Sequence, residues 1–291
     1  MKIKHLLCFI ALCLFFTPGK AQQLSVMTLR NGATVYIWED KSKPDVFGMI
    51  AFKVGSVDDP EQYTGLAHYL EHVMFKGTQT IDALDWEKEK PIYEKIIAKY
   101  DERAALSDPA AREAVDKEIN DLTREAAQYA AGNEFSLLVD HMGGQGLNAS
   151  TGYDQTEYHN SFPPSQLEKW LEIYSERLID PVFRGFQTEL EAVYEEYNMY
   201  NDDRGSRMRE FIYEQAFGDH PYARPIIGLP EHLKNPQLSK LIDFYNTWYG
   251  PQNMSIILVG NIDAKEAIPM IRDKFERVPR RAEIHREKKP V

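Results

Sequence analysis

The chain has 291 residues, 43% hydrophobic and 27% charged, which excludes a disordered polymer and allows one large or two small globular domains. Its formal net charge of −11 argues against nucleic acid as a partner, because phosphate binding rests on clustered Lys and Arg.

Residues 1–21 carry Lys2 and Lys4, then an apolar run from Leu6 to Phe16, then Pro18, Gly19 and Ala21. This is the layout of a secretory signal peptide cleaved after Ala21. The run is shorter than the roughly 20 residues a spanning helix needs, so no permanent membrane span is expected. The expected location is outside the cytoplasm, in a bacterial periplasm, with secretion or a lipid anchor on Cys8 or Cys13 as alternatives. The anchor is disfavoured by Leu12, which stands where such sites want a small residue. Both cysteines lie in this segment, so the mature chain would hold neither a disulfide nor a thiolate metal site. Any metal must be bound by His and carboxylates.

"LSVMTLRNGATVYIWED" alternates apolar and polar residues around Asn31-Gly32 and predicts a hairpin. A strand follows at Val46 to Val54. The first helix is expected from a Thr64 cap through Phe75 to a stop at Gly77. Residues 82–131 are rich in charge and helix formers. Tyr93, Ile97, Tyr100 and Ala104 form one helical stripe; Val115, Ile119, Leu122, Ala126 and Tyr129 form another. Ser107 or Asp108 caps the second helix, with Pro109 near its first position. A helical hairpin with solvated outer faces results. Residues 143–162 return to strand and turn composition. Helices are then expected at "PSQLEKWLEIYSERL", "QTELEAVYEEYNMYN", "RMREFIYEQAF" and "LSKLIDFYNTWY", followed by the strand "NMSIILVGNI" and the helix "DAKEAIPMIRDKF". Without a regular βαβ repeat, an α+β fold with helices packed on one sheet is favoured over a doubly wound one. The polar, basic residues 277–291 read as a linker cut short.

Chemistry concentrates in "HYLEHVMF", residues 68–75. On a helix, His68 and His72 share a face and can offer two imidazole nitrogens to one ion, with Glu71 toward the same side. Histidine pairs at this spacing also arise by chance. Three ionisable groups on an apolar helix, however, are costly to bury without a partner. "ELEAVYEE", residues 189–196, puts Glu189, Val193 and Glu196 on one helical face, with Glu195 elsewhere. One carboxylate there can complete the site and the other can orient a ligand. Spacing alone does not choose between Glu189 and Glu196, and an acidic face toward water is the plain alternative.

With both motifs in view, the chain resembles the pitrilysin/insulinase family of zinc metallopeptidases, which includes the mitochondrial processing peptidases. Their hallmark is an inverted H-x-x-E-H motif, here His68 to His72, and a distant E-x-x-A-V-x-x-E helix, here Glu189 to Glu196. "TGLAHYLEHVMFKGT", "LNASTGYDQTEYHNSF", "HPYARPIIG" and "FYNTWYGPQNMSIILVG" extend the resemblance from residue 24 to about residue 276. It implies a mixed, largely antiparallel sheet and one Zn2+ ion held by His68, His72 and Glu196. Glu71 would be the general base and Glu189 would support the site. Asn148 and Ala149 would present a strand to peptide or unfolded protein substrate; read alone, Asn148 is a turn residue.

Two departures matter. Glu196 lies 124 positions after His72, an excess of about fifty residues over simpler members, which the 82–131 hairpin would account for as an insertion. Family members close two related halves around a chamber, and this chain supplies one domain of one half, expected at 22–276. A second homologous domain or subunit is therefore an expected partner, and this chain alone is expected to be weakly active or inactive. A non-catalytic partner subunit and a truncated fragment remain the alternatives to an endopeptidase.

Overall fold

The computed structural model describes residues 23–284 and 286. The expected signal segment and the last residues of the expected linker lie outside the described residues.

β1 (Gln23–Thr28) and β2 (Thr34–Glu39) form an antiparallel hairpin. Pairing stops at Thr28 and Thr34, so residues 29–33 make a longer connection than a two-residue turn. Gly32 turns it at φ +101°, a conformation that suits glycine. Asn31 Nδ2 donates to the carbonyls of Phe275 and Val278 at 2.7 and 3.1 Å, tying the hairpin to the far end of the chain.

β3 (Val46–Phe52), β4 (Gln145–Thr151), β5 (Thr156–Phe162) and β6 (Met254–Gly260) complete a sheet, in the order β1-β2-β6-β3-β5-β4. Among the described residues only β2 and β6 run parallel, so the sheet is mixed and largely antiparallel. The helices are α1 (Leu66–Val73), α2 (Trp86–Ala105), α3 (Pro109–Ala126), α4 (Glu134–His141), α5 (Leu167–Glu176), α6 (Phe186–Asp202), α7 (Arg204–Phe217), α8 (Pro230–Leu233), α9 (Leu238–Trp248) and α10 (Ala264–Phe275).

Along β3 buried and half-buried residues alternate, as the two-residue period of a strand requires. Val46, Gly48, Ile50 and Phe52 are on the buried face. Gly48 must be small there, because a Cβ would lie 2.5 Å from the Trp170 ring of α5. The opposite face stays open, with Leu24, Val26, Tyr36, Trp38 and Val259 exposed. The fold is thus α+β, with its helices on one face of the sheet.

Several local expectations are corrected. α1 is capped by Gly65 at φ +90°, not by Thr64, and its regular turns end at Val73. A Cβ on residue 65 would sit 2.5 Å from the Ile227 carbonyl. The Thr64 hydroxyl instead bonds His232 Nδ1 at 2.7 Å and accepts from Leu229 N–H at 2.9 Å. On α2 the buried stripe is Glu89, Ile92, Ile96 and Tyr100, while Tyr93 and Ile97 are only partly covered. α2 packs against both α3 and α9, so its buried arc is rotated from the one the apolar spacing suggested. The α3 start is as expected, with Asp108 accepting from Ala111 N–H at 2.9 Å and Pro109 in the first turn. α4 and α8 were not anticipated. Part of the expected linker packs down: Val278 is buried, and Gln252 Nε2 donates to the carbonyls of Arg281 and Ala282.

Candidate metal centre

α1 is an eight-residue helix buried on most sides, with Leu66, Ala67, Tyr69, Leu70 and Val73 in the core. Its 3.6-residue period leaves His68, Glu71 and His72 toward the end of β4 and the long helix α6. α6 crosses α1 with Phe186, Leu190 and Val193 buried, and Tyr69 Oη donates to the Phe186 carbonyl at the crossing. Glu189 and Glu196, on the same stripe as Val193, are thereby brought to the histidines.

His68 Nε2 is 3.6 Å and His72 Nε2 3.5 Å from the same atom, Glu196 Oε2. One ligand atom from each of the three residues falls within 4.8 Å of the others. These separations are long for hydrogen bonds. They suit a shared ion: two atoms each about 2.1 Å from a tetrahedral zinc lie about 3.4 Å apart. The donor set, two imidazoles and one carboxylate, also fits zinc. Glu189 approaches the other side of His72, with Oε2 3.5 Å from Nδ1, while its Oε1 pairs with Lys76 Nζ. That is the arrangement of a carboxylate that orients a ligand histidine.

Electrostatics distinguishes the two histidines. Burial, reinforced by neighbouring His72, lowers the pKa of His68 to about 4, against the pull of Glu196. Burial also works against protonation of His72, but the carboxylates of Glu189, Glu196 and Glu71 outweigh it and raise its pKa to about 9. Contact with His72 holds Glu196 below the usual carboxylate range. Burial raises Glu71, opposed by a hydrogen bond of 2.5 Å from Thr151 Oγ1 to its Oε2 and by the charge of His72. A raised carboxylate beside a metal site is suited to taking up a proton.

A cavity of about 300 Å³ opens over this group. Its walls include His68, Glu71 and Glu196, Ala149 to Thr151 of β4, and Tyr200 and Arg209 from α6 and α7. Ala149 lines it, whereas Asn148 is exposed and does not. Thr151 and Tyr200 were missed by sequence reasoning. Thr151 lies two residues after Ala149 on the same face of β4, and Tyr200 lies one turn after Glu196, whose carboxylate it contacts. A larger cavity of about 460 Å³ lies between the α2–α3 hairpin and α6. It is lined by Arg103, Asp116, Glu191 and Lys234; among the described residues the three groups placed to share an ion are at the smaller cavity, which is therefore the candidate site.

Sheet, crossed helices and this triad define a metallopeptidase-like domain. The family model for insulinase (peptidase family M16) matches residues 34–90 and 121–229, and that of the peptidase M16 inactive domain matches residues 237–291. The chain belongs to the insulinase family. It is 25% identical over 270 residues to the probable zinc protease PqqL of Escherichia coli, covering 89% of this chain and 23% of that one. The crystal structure of the first half of the periplasmic protease PqqL matches with a TM-score of 0.67 and 25% identity, over 91% of this chain and 49% of that one. A protease from Helicobacter pylori shares the fold, with a TM-score of 0.70 and 22% identity, over 93% of this chain and 54% of that one. The chain spans less than half the length of the curated relatives it matches.

Proposed function

We propose that this chain is the zinc-bearing part of a metalloendopeptidase that hydrolyses peptides or unfolded polypeptides. The observation that carries this reading is the triad of His68, His72 and Glu196, with the Glu71 carboxylate beside it. One Zn2+ would be held by the three ligands, with Glu189 orienting His72. Bound there, zinc supplies Lewis acidity, acidifying water and polarising a peptide carbonyl.

The remaining steps fall to the chain's own groups. Glu71, held by Thr151, takes the proton of the attacking water and returns it to the leaving amine. β4 is the last strand of the sheet, so its outer edge can pair with an extended peptide backbone near Asn148 and Ala149. Backbone pairing gives affinity with little sequence preference. Arg209 and Tyr200 add polar groups to the same cavity.

The domain is assigned to residues 22–276, with 82–131 as an inserted hairpin. The gap in the insulinase match, residues 91–120, falls inside that hairpin and supports the assignment. Export to a periplasm is supported by the sequence of residues 1–21 and by the periplasmic description of the PqqL relative. Among the described residues, no helix is long and apolar enough to cross a membrane. A second homologous half, closing the open cavity, is the proposed partner, supported by the greater length of the relatives. A non-catalytic subunit is the second reading, and retention of all four motif residues speaks against it.

The test uses whichever preparation cleaves an unfolded peptide, the chain alone or with a homologous second half. Glu71→Gln is expected to keep one zinc per chain while cleavage falls by about 100-fold or more. Undiminished cleavage would remove Glu71 from the reaction, and loss of zinc would make it a ligand.

A further inference from the structure

α1 has eight residues, and so short a helix has little stability of its own. Each of its ends meets a buried side chain that hydrogen-bonds its free backbone groups. At the N-terminus, the Asp59 carboxylate accepts from the N–H groups of Gly65 and Ala67 at 2.7 and 2.9 Å. At the C-terminus, Arg177 Nη2 donates to the Met74 carbonyl at 3.0 Å. Asp59 is 5% exposed and Arg177 2% exposed.

The Arg177 environment is unusual for a guanidinium. Among the described residues no carboxylate pairs with it, and its Nε and Nη1 lack hydrogen-bond partners. Its charge is packed among the rings of Phe135, Tyr158, Phe75 and Tyr174, at 4.4, 4.6, 4.8 and 5.5 Å. A Met or Leu would fill that aromatic box without the cost of burying a charge, so packing alone does not explain an arginine there. The helix end does: partial negative charge gathers on the last carbonyls and partial positive charge on the first amides, which Asp59 meets.

The residues held, Ala67 and Met74, bracket His68 and His72. We propose that Asp59 and Arg177 are positioning residues that fix α1 end to end and so set its two histidines against Glu196 on α6. This rests on the zinc reading above. A metal site tolerates displacements of only about 0.5 Å, and a two-turn helix held at one end can pivot by more.

The test measures zinc affinity of the purified protein by competition with a chromophoric chelator, together with the visible spectrum of the Co2+ form. Asp59→Asn and Arg177→Met are each expected to weaken zinc binding about ten-fold or more and to shift the Co2+ bands. Arg177→Lys keeps the charge and should bind more tightly than Arg177→Met; it also keeps the test readable should Arg177→Met not fold. Val115→Ala, in the core of the α2–α3 hairpin, controls for lost stability and should leave both readouts unchanged. If the wild-type protein binds no zinc, the metal reading itself falls. If it binds zinc and both charge variants stay within about two-fold of it, or Val115→Ala weakens binding as much as they do, the positioning role alone is overturned.

Discussion

Thr151 reaches Glu71 from another element, 80 residues away in sequence, and its hydroxyl is the direct hydrogen-bond donor to that carboxylate. Thr151→Val keeps the shape and removes the donor. In a peptide-cleavage assay it should lower kcat by about ten-fold or more with zinc content unchanged; equal kcat would show that Glu71 needs no such support. Asp59 makes a second prediction. Burial raises its pKa from 3.8 to about 7, opposed by the Ala67 and Gly65 amides and by Arg224, and slightly aided by Asp58. Between those two values the folded state keeps a proton that the unfolded chain has released, so Asp59's contribution to stability is full below pH 3.8 and lost as pH rises toward 7. In denaturant titrations of metal-free protein, Asp59→Asn should fall in stability less steeply than wild type across that window, where one such proton is worth about 1.4 kcal/mol per pH unit. Identical slopes would contradict the shift. In the sequence, helical periodicity put His68, Glu71 and His72 on one face and Glu189 and Glu196 on another, while the choice between the two glutamates came from the resemblance to the insulinase family. Thr151, Asp59 and Arg177 were not legible there, because their contacts are tertiary and leave no period.

Among the elements, the α2–α3 hairpin is tied to the body by a buried pair. Arg184 Nε and Nη2 contact Glu89 Oε1 and Oε2 at 2.6 and 2.8 Å, with both side chains nearly inaccessible. Glu89→Gln would strand the guanidinium and should cost about 3–5 kcal/mol by denaturant unfolding, while Glu89→Leu with Arg184→Met should recover most of it. A loss below about 1 kcal/mol would place the pair in the class of surface bridges. Each helix of the hairpin was visible from its composition, and the Asp108-Pro109 start from capping chemistry. The exact buried arc of α2 was not, because Tyr93 and Ile97 contact the body only partly while the polar Glu89 is buried through its ion pair. α4 was hidden for another reason: eight residues are too few to show a period, and its N-cap, Asn133, takes φ +65° where no side-chain cap marks the start.

At the scale of the whole molecule, the sheet order explains why so distant segments meet. β6, from the last third of the chain, lies between β2 and β3, and β4 forms the outer edge beside the candidate metal centre. Mixed strand and helix composition was enough to read the α+β class, whereas the parallel insertion of β6 depends on long-range pairing that local patterns do not encode. The open cavity, the β4 edge left unpaired among the described residues and the length of the relatives support the proposal of a second half closing over the site. α1 and α6 are proposed to make together a zinc site of two histidines and one glutamate. Zinc-edge X-ray absorption of the purified protein at equimolar zinc tests it most directly. The expected result is zinc coordinated by two imidazoles and oxygen ligands at about 2.0–2.2 Å, with one imidazole lost in His72→Ala. A shell of oxygen atoms without imidazole, or a spectrum unchanged by His72→Ala, would contradict it.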